Sequence, residues 1–315
     1  MVDNSNKKDV ALIFPGQGAQ YVGMGKELYL HSKPAREAFD LAEKLTGLEI
    51  RRAGFSGPEE FLKMTAICQP AILTFSIACL NTLLAHSKAK DLSIKFAAGL
   101  SLGEYPALVA AGALSFEDAI MLVKARAEFM EEEALAHPGK MAAIIGLDRE
   151  KVQAIALNNA VEVANFNAPG QIVISGAAEN IEKAKEAAVA AGARTAVILE
   201  TSGAFHSSLM KGAAVRFSET LKTAKIVGAQ FPVISNVTAL PETAPDQIRQ
   251  NLLTQITSPV RWEESVRYLA SQGVTTFLEL GPGKVLKGLL RRIDPALIVH
   301  NLENPADFDT LISAD

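Results

Sequence analysis

Short apolar runs that end in glycine alternate along this chain with longer stretches of helical period, a pattern that predicts an α/β fold. Val10 to Phe14 is the first such run and stops at Pro15-Gly16-Gln17-Gly18, so it reads as a buried strand feeding a glycine loop. Helical patterns follow over about 24–46, 58–65 and 70–86, with Pro70 suited to a first helical turn. A second short run, Ile94 to Ala98, leads into Gly99-Leu100-Ser101-Leu102-Gly103-Glu104, and Ala107 to Ala111 then reads as the start of a buried helix. Ser115-Phe116-Glu117-Asp118 resembles a capping box and opens a helix to about His137. On it Ala119, Leu122, Val123, Arg126, Phe129 and Met130 share one apolar stripe, while Lys124, Glu128, Glu131 and Glu132 face away.

The texture changes over 139–199. Met141 to Leu147, Val161 to Phe166, Gln171 to Ser175 and Thr195 to Leu199 read as strands, with helices from Asp148 to Asn159 and from Glu179 to Ala191. The order βαββαβ is the ferredoxin-like plan, so these residues are expected to form an inserted unit. Asn165-Phe166-Asn167-Ala168-Pro169-Gly170 joins its middle strands, and the asparagines are most simply turn formers. Beyond it, Phe231 to Ser235, Thr275 to Leu280 and Leu297 to His300 are further strands, and Gly281-Pro282-Gly283 turns into a helix over 284–292.

Composition narrows the class. With 315 residues and 49% hydrophobic content the chain can bury a large core. Its net charge of −4 argues against a general binder of nucleic acid or anionic membrane. Cys68 and Cys79 sit in apolar helical sequence at no metal spacing, which points to reduced, buried thiols and a cytoplasmic protein. Met1 to Asp9 is polar, and Val10 to Phe14 is too short for a signal-peptide core. The weakly polar run Ala71 to Ala85 contains Thr74, Ser76, Asn81 and Thr82 and falls short of a membrane span.

The candidate chemistry centres on Ser101. Strand, Gly-x-Ser-x-Gly and helix in succession mark a nucleophile elbow, whose glycines relieve crowding where strand and helix meet. The competing reading is a capping box, since Ser101 and Glu104 have the Ser-x-x-Glu spacing. The Gly16–Gly18 loop is no dinucleotide fingerprint, because Tyr21 occupies the third glycine position, but its bare backbone can approach an anion. Of five histidines, His31, His86 and His137 lie at helix ends or in a turn, leaving His206 and His300 as candidate bases. Arg126 points toward the core and needs an anionic partner there, either a structural carboxylate or a bound one.

Six segments occur in order: Phe14-Pro-Gly-Gln-Gly18, Gly99-Leu-Ser-Leu-Gly-Glu104, Arg126, Asn167-Ala-Pro-Gly-Gln171, Ala204-Phe-His206 and Gly281-Pro-Gly283. Together they resemble the malonyl-CoA:acyl carrier protein transacylases of dissociated bacterial fatty acid synthesis, from about residue 10 to 300. Two departures are visible: Leu100 stands where members often have histidine, and Ala127 where glycine is frequent. The resemblance implies an α/β-hydrolase-like catalytic domain with a mostly parallel sheet, 1–138 and 200–315, interrupted by the ferredoxin-like subdomain 139–199. It implies Ser101 as nucleophile, His206 as general base, and the backbone N–H groups of Gln17 and Leu102 as oxyanion hole. Arg126 would hold the malonyl carboxylate, and Gln255 would orient His206 through a carbonyl. Gln69 and Asn167 would line the pocket, and Phe205 resembles the malonyl-selecting form of its motif. The implied partners are malonyl-CoA and acyl carrier protein, with no metal, redox cofactor, nucleic acid or membrane, and a monomer is expected. Lys284, Lys287, Arg291 and Arg292 fall on one helical face, which is either a docking patch for the acidic carrier protein or a plain solvated face. Two rival readings remain: a serine hydrolase such as a thioesterase, able to employ His300, and a carrier-protein-binding module whose elbow is relict.

Overall fold

The computed structural model describes residues 7–310; the polar residues before Lys7, read above as carrying no leader, lie outside them. Five parallel strands and one antiparallel strand form the larger sheet. These are β1 (Lys8–Phe14), β2 (Leu92–Gly99), β7 (Val233–Ile234), β8 (Pro241–Glu242), β9 (Thr276–Leu280) and β10 (Ile298–Leu302), in the order β10-β9-β1-β2-β7-β8. The smaller sheet holds β3 (Gly139–Ile145), β4 (Glu162–Ala168), β5 (Gln171–Ala177) and β6 (Thr195–Ile198), all antiparallel, in the order β4-β5-β3-β6.

The unbroken apolar texture of β1 follows from burial on both faces. Val10, Leu12 and Phe14 enter the core beneath the helix Thr65–Ala85, while Ala11 and Ile13 enter a second core with Trp262, Phe277 and Leu286. Ile144, Phe166, Ile174 and Ile181 build a separate core for the smaller unit. The smaller sheet is tied to the segment after Gln255 through backbone bonds at Val260, which accepts from Phe166 N–H at 2.9 Å and donates to the Ala164 carbonyl at 2.8 Å.

Several expectations are corrected. The helical stretch over 24–46 is two helices, Lys26–His31 and Lys33–Thr46, because Ser32 leaves helical geometry and its hydroxyl caps the second by accepting from Ala35 N–H at 3.3 Å. Pro70 is not in a first turn: the helix runs Thr65–Ala85, so the proline sits inside it and one backbone bond is missing there. That helix is apolar and long enough to cross a membrane, yet 83% of its most apolar window is buried in the protein, which makes it a core helix. The strand expected over Phe231 to Ser235 is reduced to Val233–Ile234. The helices Ile50–Ser56, Lys211–Thr223, Pro245–Gln255 and Trp262–Ser271 add to the pattern read from the sequence. The capping box at Ser115 is present, its hydroxyl accepting from Asp118 N–H at 3.0 Å.

Strands β1, β2 and β9 run parallel, so their C-terminal ends, and the loops Pro15–Gly18, Gly99–Gly103 and Gly281–Gly283, open at one edge of the sheet. Crevices outside the carboxyl ends of parallel strands are where such folds bind ligands.

Candidate active site

The turn after β2 is tight enough to require its glycines. A Cβ on Gly99 would overlap the Gly103 backbone, and one on Gly103 would overlap the Phe14 carbonyl. Ser101 takes a left-handed conformation, φ 53°, which a side-chain-bearing residue adopts only when its surroundings hold it there. The holding group is Asn236, just beyond β7. Its Oδ1 accepts from Ser101 N–H at 2.6 Å, and its Nδ2 donates to the Gly99 carbonyl at 2.7 Å. The capping-box reading of Ser101 and Glu104 fails: the Ser101 hydroxyl points to His206, and Glu104 is buried under the elbow.

His206 meets Ser101 from the segment that returns from the smaller unit, and it too is left-handed, φ 57°. Its Nε2 lies 2.8 Å from Ser101 Oγ and its Nδ1 lies 2.9 Å from the Gln255 backbone carbonyl. A carbonyl can only accept, so Nδ1 carries the proton and Nε2 is free to accept from the serine. Burial and then the nearby Arg126 charge push the imidazole down to about 4, so it is neutral at physiological pH.

Arg126, on the helix Phe116–Ala136, is 1% exposed and aims at the same point. Its Nη1 donates to Gln69 Oε1 at 2.6 Å, and its Nη2 donates to Gln255 Oε1 at 2.9 Å and to Ser101 Oγ at 3.1 Å. All three partners are neutral oxygens. Among the described residues no carboxylate makes an ion pair with the guanidinium, so the structural salt bridge weighed above has no partner. Burial pushes the group below its ordinary value, yet an arginine keeps its charge in proteins. The pocket beside Ser101 therefore carries a positive charge that a substrate carboxylate can neutralise.

The remaining candidates fall into two sets. Gln17 turns off β1 toward the site, its Oε1 accepting from Gln69 Nε2 at 3.4 Å and its Nε2 donating to Thr65 Oγ1 at 3.3 Å. Leu102 and Phe205 are buried beside Ser101 and His206 in the chain. Gln255 acts twice, with its backbone carbonyl on His206 and its side chain on Arg126, the Ser101 carbonyl and Glu104. Asn167 lies in β4, with a buried Oδ1 that has no partner. His300, the rival base, is on β10, with β9 and β1 between it and β2, and it is not brought to Ser101. Lys284, Lys287, Arg291 and Arg292 are exposed around the helix Val285–Ile293; Arg292 donates to Gln171 Oε1 at 2.7 Å. Among the described residues no three His, Cys, Asp or Glu side chains cluster as a metal would need. Sequence reasoning missed Asn236, Glu242 and Asn251 and misread Glu104. Asn236 had one available signal, a polar residue directly after a strand of the parallel sheet.

Comparison with known proteins agrees with this geometry. The acyl transferase domain family matches residues 11–293. A Bacillus subtilis protein named malonyl CoA-acyl carrier protein transacylase is 46% identical over 308 residues, covering 96% of both chains. The crystal structure of an acyl-carrier-protein S-malonyltransferase from Bartonella henselae superposes with a TM-score of 0.92 at 38% identity, over 97% of this chain and 99% of that one. A structure described as a type II polyketide acyl-carrier protein in complex with its malonyl-transacylase superposes with a TM-score of 0.93 at 37% identity, over 98% of this chain and 100% of that one. With a half-buried serine beside a buried histidine and an arginine that no carboxylate pairs among the described residues, and matched along nearly its whole length, the chain belongs to the malonyl-CoA:acyl carrier protein transacylase family of acyl transferases.

Proposed function

We propose that this protein moves a malonyl group from coenzyme A to the phosphopantetheine thiol of acyl carrier protein, for fatty acid synthesis, through a malonyl ester on Ser101. The observation that carries the reading is the placement of Ser101 Oγ between a neutral imidazole nitrogen at 2.8 Å and a buried guanidinium at 3.1 Å. Ser101 Oγ attacks the thioester carbon while His206 Nε2 takes its proton. The carbonyl π pair moves onto oxygen, where the N–H groups of Gln17 and Leu102 stabilise it. The C–S bond then breaks, and the coenzyme A thiolate leaves with the proton from His206. The carrier-protein thiol gives its proton to the same nitrogen, attacks the ester, and returns Ser101 to its hydroxyl form. Proton transfer and charge stabilisation are supplied by the chain's own groups, so the steps call for no metal or redox cofactor.

Arg126 gives the acyl preference. A malonyl carboxylate pairs with its charge, whereas an acetyl group would leave that charge buried and unpaired. Gln69 and Gln255 fix the guanidinium, and Asn167 and Phe205 complete the pocket wall. Gln255 offers His206 a carbonyl instead of a carboxylate, so no Asp or Glu stands in the third position of a Ser-His-acid triad. We assign 1–138 and 200–315 to an α/β-hydrolase-like catalytic domain and 139–199 to a ferredoxin-like subdomain, on the βαββαβ order and the separate core of the latter. The buried free thiols of Cys68 and Cys79 suit a cytoplasmic enzyme. A hydrolase using His300 is disfavoured by the position of that residue across the sheet. Mass spectrometry after incubation with malonyl-CoA tests the reading: the added malonyl group should lie on the peptide containing Ser101, and a label on another residue, or rapid release to water, would overturn it.

A further inference from the structure

Behind the serine lies a set of polar groups that the transfer steps do not use. Glu104 and Glu242 are 0% and 1% exposed. Each has one carboxyl oxygen tied to a side-chain amide: Gln255 Nε2 donates to Glu104 Oε2 at 2.6 Å, and Asn251 Nδ2 donates to Glu242 Oε2 at 2.6 Å. The Oε1 atoms of both residues are buried with no hydrogen-bond partner, and the Glu242 charge pushes the Glu104 carboxyl up. Buried acceptors without a donor are costly, and two buried carboxylates repel. A proton held on the pair removes one of the two charges.

The surroundings agree. Facing Glu104 are Arg126 from the helix Phe116–Ala136, Gln255 from the helix Pro245–Gln255, Asn236 N–H from the loop after β7, Glu242 from β8, and Tyr105 from its own helix. Burial comes first in pushing both carboxyls up, Glu242 to about 7, and Glu242 pushes Glu104 further. The Gln255 amide then has one orientation open to it. Its Nε2 donates to two acceptors, the Ser101 carbonyl at 3.0 Å and Glu104, which obliges Oε1 to face the Arg126 guanidinium. Rotating the amide would set its NH₂ against a cation.

We propose that Glu104 is a positioning residue for acyl selection: it fixes the Gln255 side chain that aims Arg126 at the acyl group. This rests on the reading of Arg126 as the group that receives the malonyl carboxylate. Glutamine at 104 can accept from Gln255, so it preserves the arrangement; alanine cannot.

The test compares wild type, Glu104→Ala, Glu104→Gln and Arg126→Ala by kcat/KM for acylation with malonyl-CoA and with acetyl-CoA. Glu104→Ala should lower the malonyl-to-acetyl ratio about tenfold or more, the scale of one lost positioning hydrogen bond. Glu104→Gln should keep it within about threefold of wild type. A simple loss of packing would lower both rates and leave the ratio alone. An unchanged ratio in Arg126→Ala overturns the reading of Arg126 itself. A ratio that falls in Arg126→Ala but not in folded Glu104→Ala, or that glutamine fails to restore, overturns the positioning role alone. Should Glu104→Ala not fold, Glu104→Asp, which withdraws the acceptor by one methylene, replaces it with the same expectation.

Discussion

Replacing Asn236 by alanine removes both halves of the clamp across the elbow. The Gly99 carbonyl, buried and bonded to Asn236 Nδ2 at 2.7 Å, would lose its donor, at about 1–3 kcal/mol for an unsatisfied buried acceptor. The Ser101 N–H, bonded to Asn236 Oδ1 at 2.6 Å, is half-buried and can recruit water, so its loss costs about 0.5–1.5 kcal/mol. Together these predict about 2–4 kcal/mol of lost stability in urea unfolding. The kinetic effect should be larger than packing alone would give. Without the clamp Ser101 can relax from φ 53°, carrying its hydroxyl away from His206 Nε2 and moving the Leu102 N–H with it. Misplacement by about 1 Å costs about 100-fold in rate, so serine acylation by malonyl-CoA, measured by quenched flow and mass spectrometry, should fall by about that factor. A Ser101→Gly background supplies the internal control. Glycine takes a positive φ without strain, so loss of the clamp relieves nothing there and Asn236→Ala should destabilise that background by about 1 kcal/mol more. Stability within about 0.5 kcal/mol of wild type and an acylation rate within about threefold would refute the clamp.

Three other expectations follow from the same geometry. His206→Ala should lower acylation about 100- to 10,000-fold, the range for a lost general base, while His300→Ala stays within about tenfold; the reverse ranking would restore the hydrolase reading. Because the His206 imidazole sits at about 4, acylation should hold its rate as pH falls through the ordinary histidine value of 6.5, and an acid limb centred there would contradict a buried neutral base. Glu242 keeps its proton to about 7 in the folded protein, against 4.5 ordinarily, so folded protein binds the extra proton between those values and stability falls as pH rises across that window. Glu242→Gln should flatten that slope by about 3 kcal/mol in chemical unfolding, and an unchanged slope would place the titration elsewhere.

The parallel core and the smaller unit were legible because both rest on local pattern. Val10 to Phe14 is apolar on both faces since both faces are covered, Ile94 to Ala98 is covered fully only at Ala97 and Ala98, with Lys95 exposed, and the βαββαβ order needs only the alternation of period. Ser101 was legible for a similar reason, since two glycines four residues apart are what the Gly99–Gly103 contact demands. The break at Ser32 was missed because one extended residue hardly disturbs an apolar stripe. Pro70 was misplaced because a proline inside a buried helix loses one bond yet keeps its packing. Local pattern left both His206 and His300 open as the base of Ser101, since both follow small or apolar segments; the family resemblance chose His206, and the sheet order sets His300 apart.

Glu104 was misread for a deeper reason. Ser-x-x-Glu is the spacing of a helix cap, and nothing local distinguishes a glutamate that folds back to its own helix from one that reaches under the turn. What distinguishes them is the arrival of Gln255, 151 residues later, and of Glu242 on a two-residue edge strand. Long-range polar networks have no period to read, because each member is chosen by the donor or acceptor across from it. The acceptor-only face of Glu104 dictates the orientation of one amide, and that amide directs a cation at the acyl group while its own carbonyl selects the histidine tautomer. Two functions, base and acyl selection, thus meet in the single residue Gln255. Its replacement by leucine frees Arg126 while keeping the backbone contact to His206, so it should lower malonyl acylation more than acetyl acylation, as loss of Glu104 should.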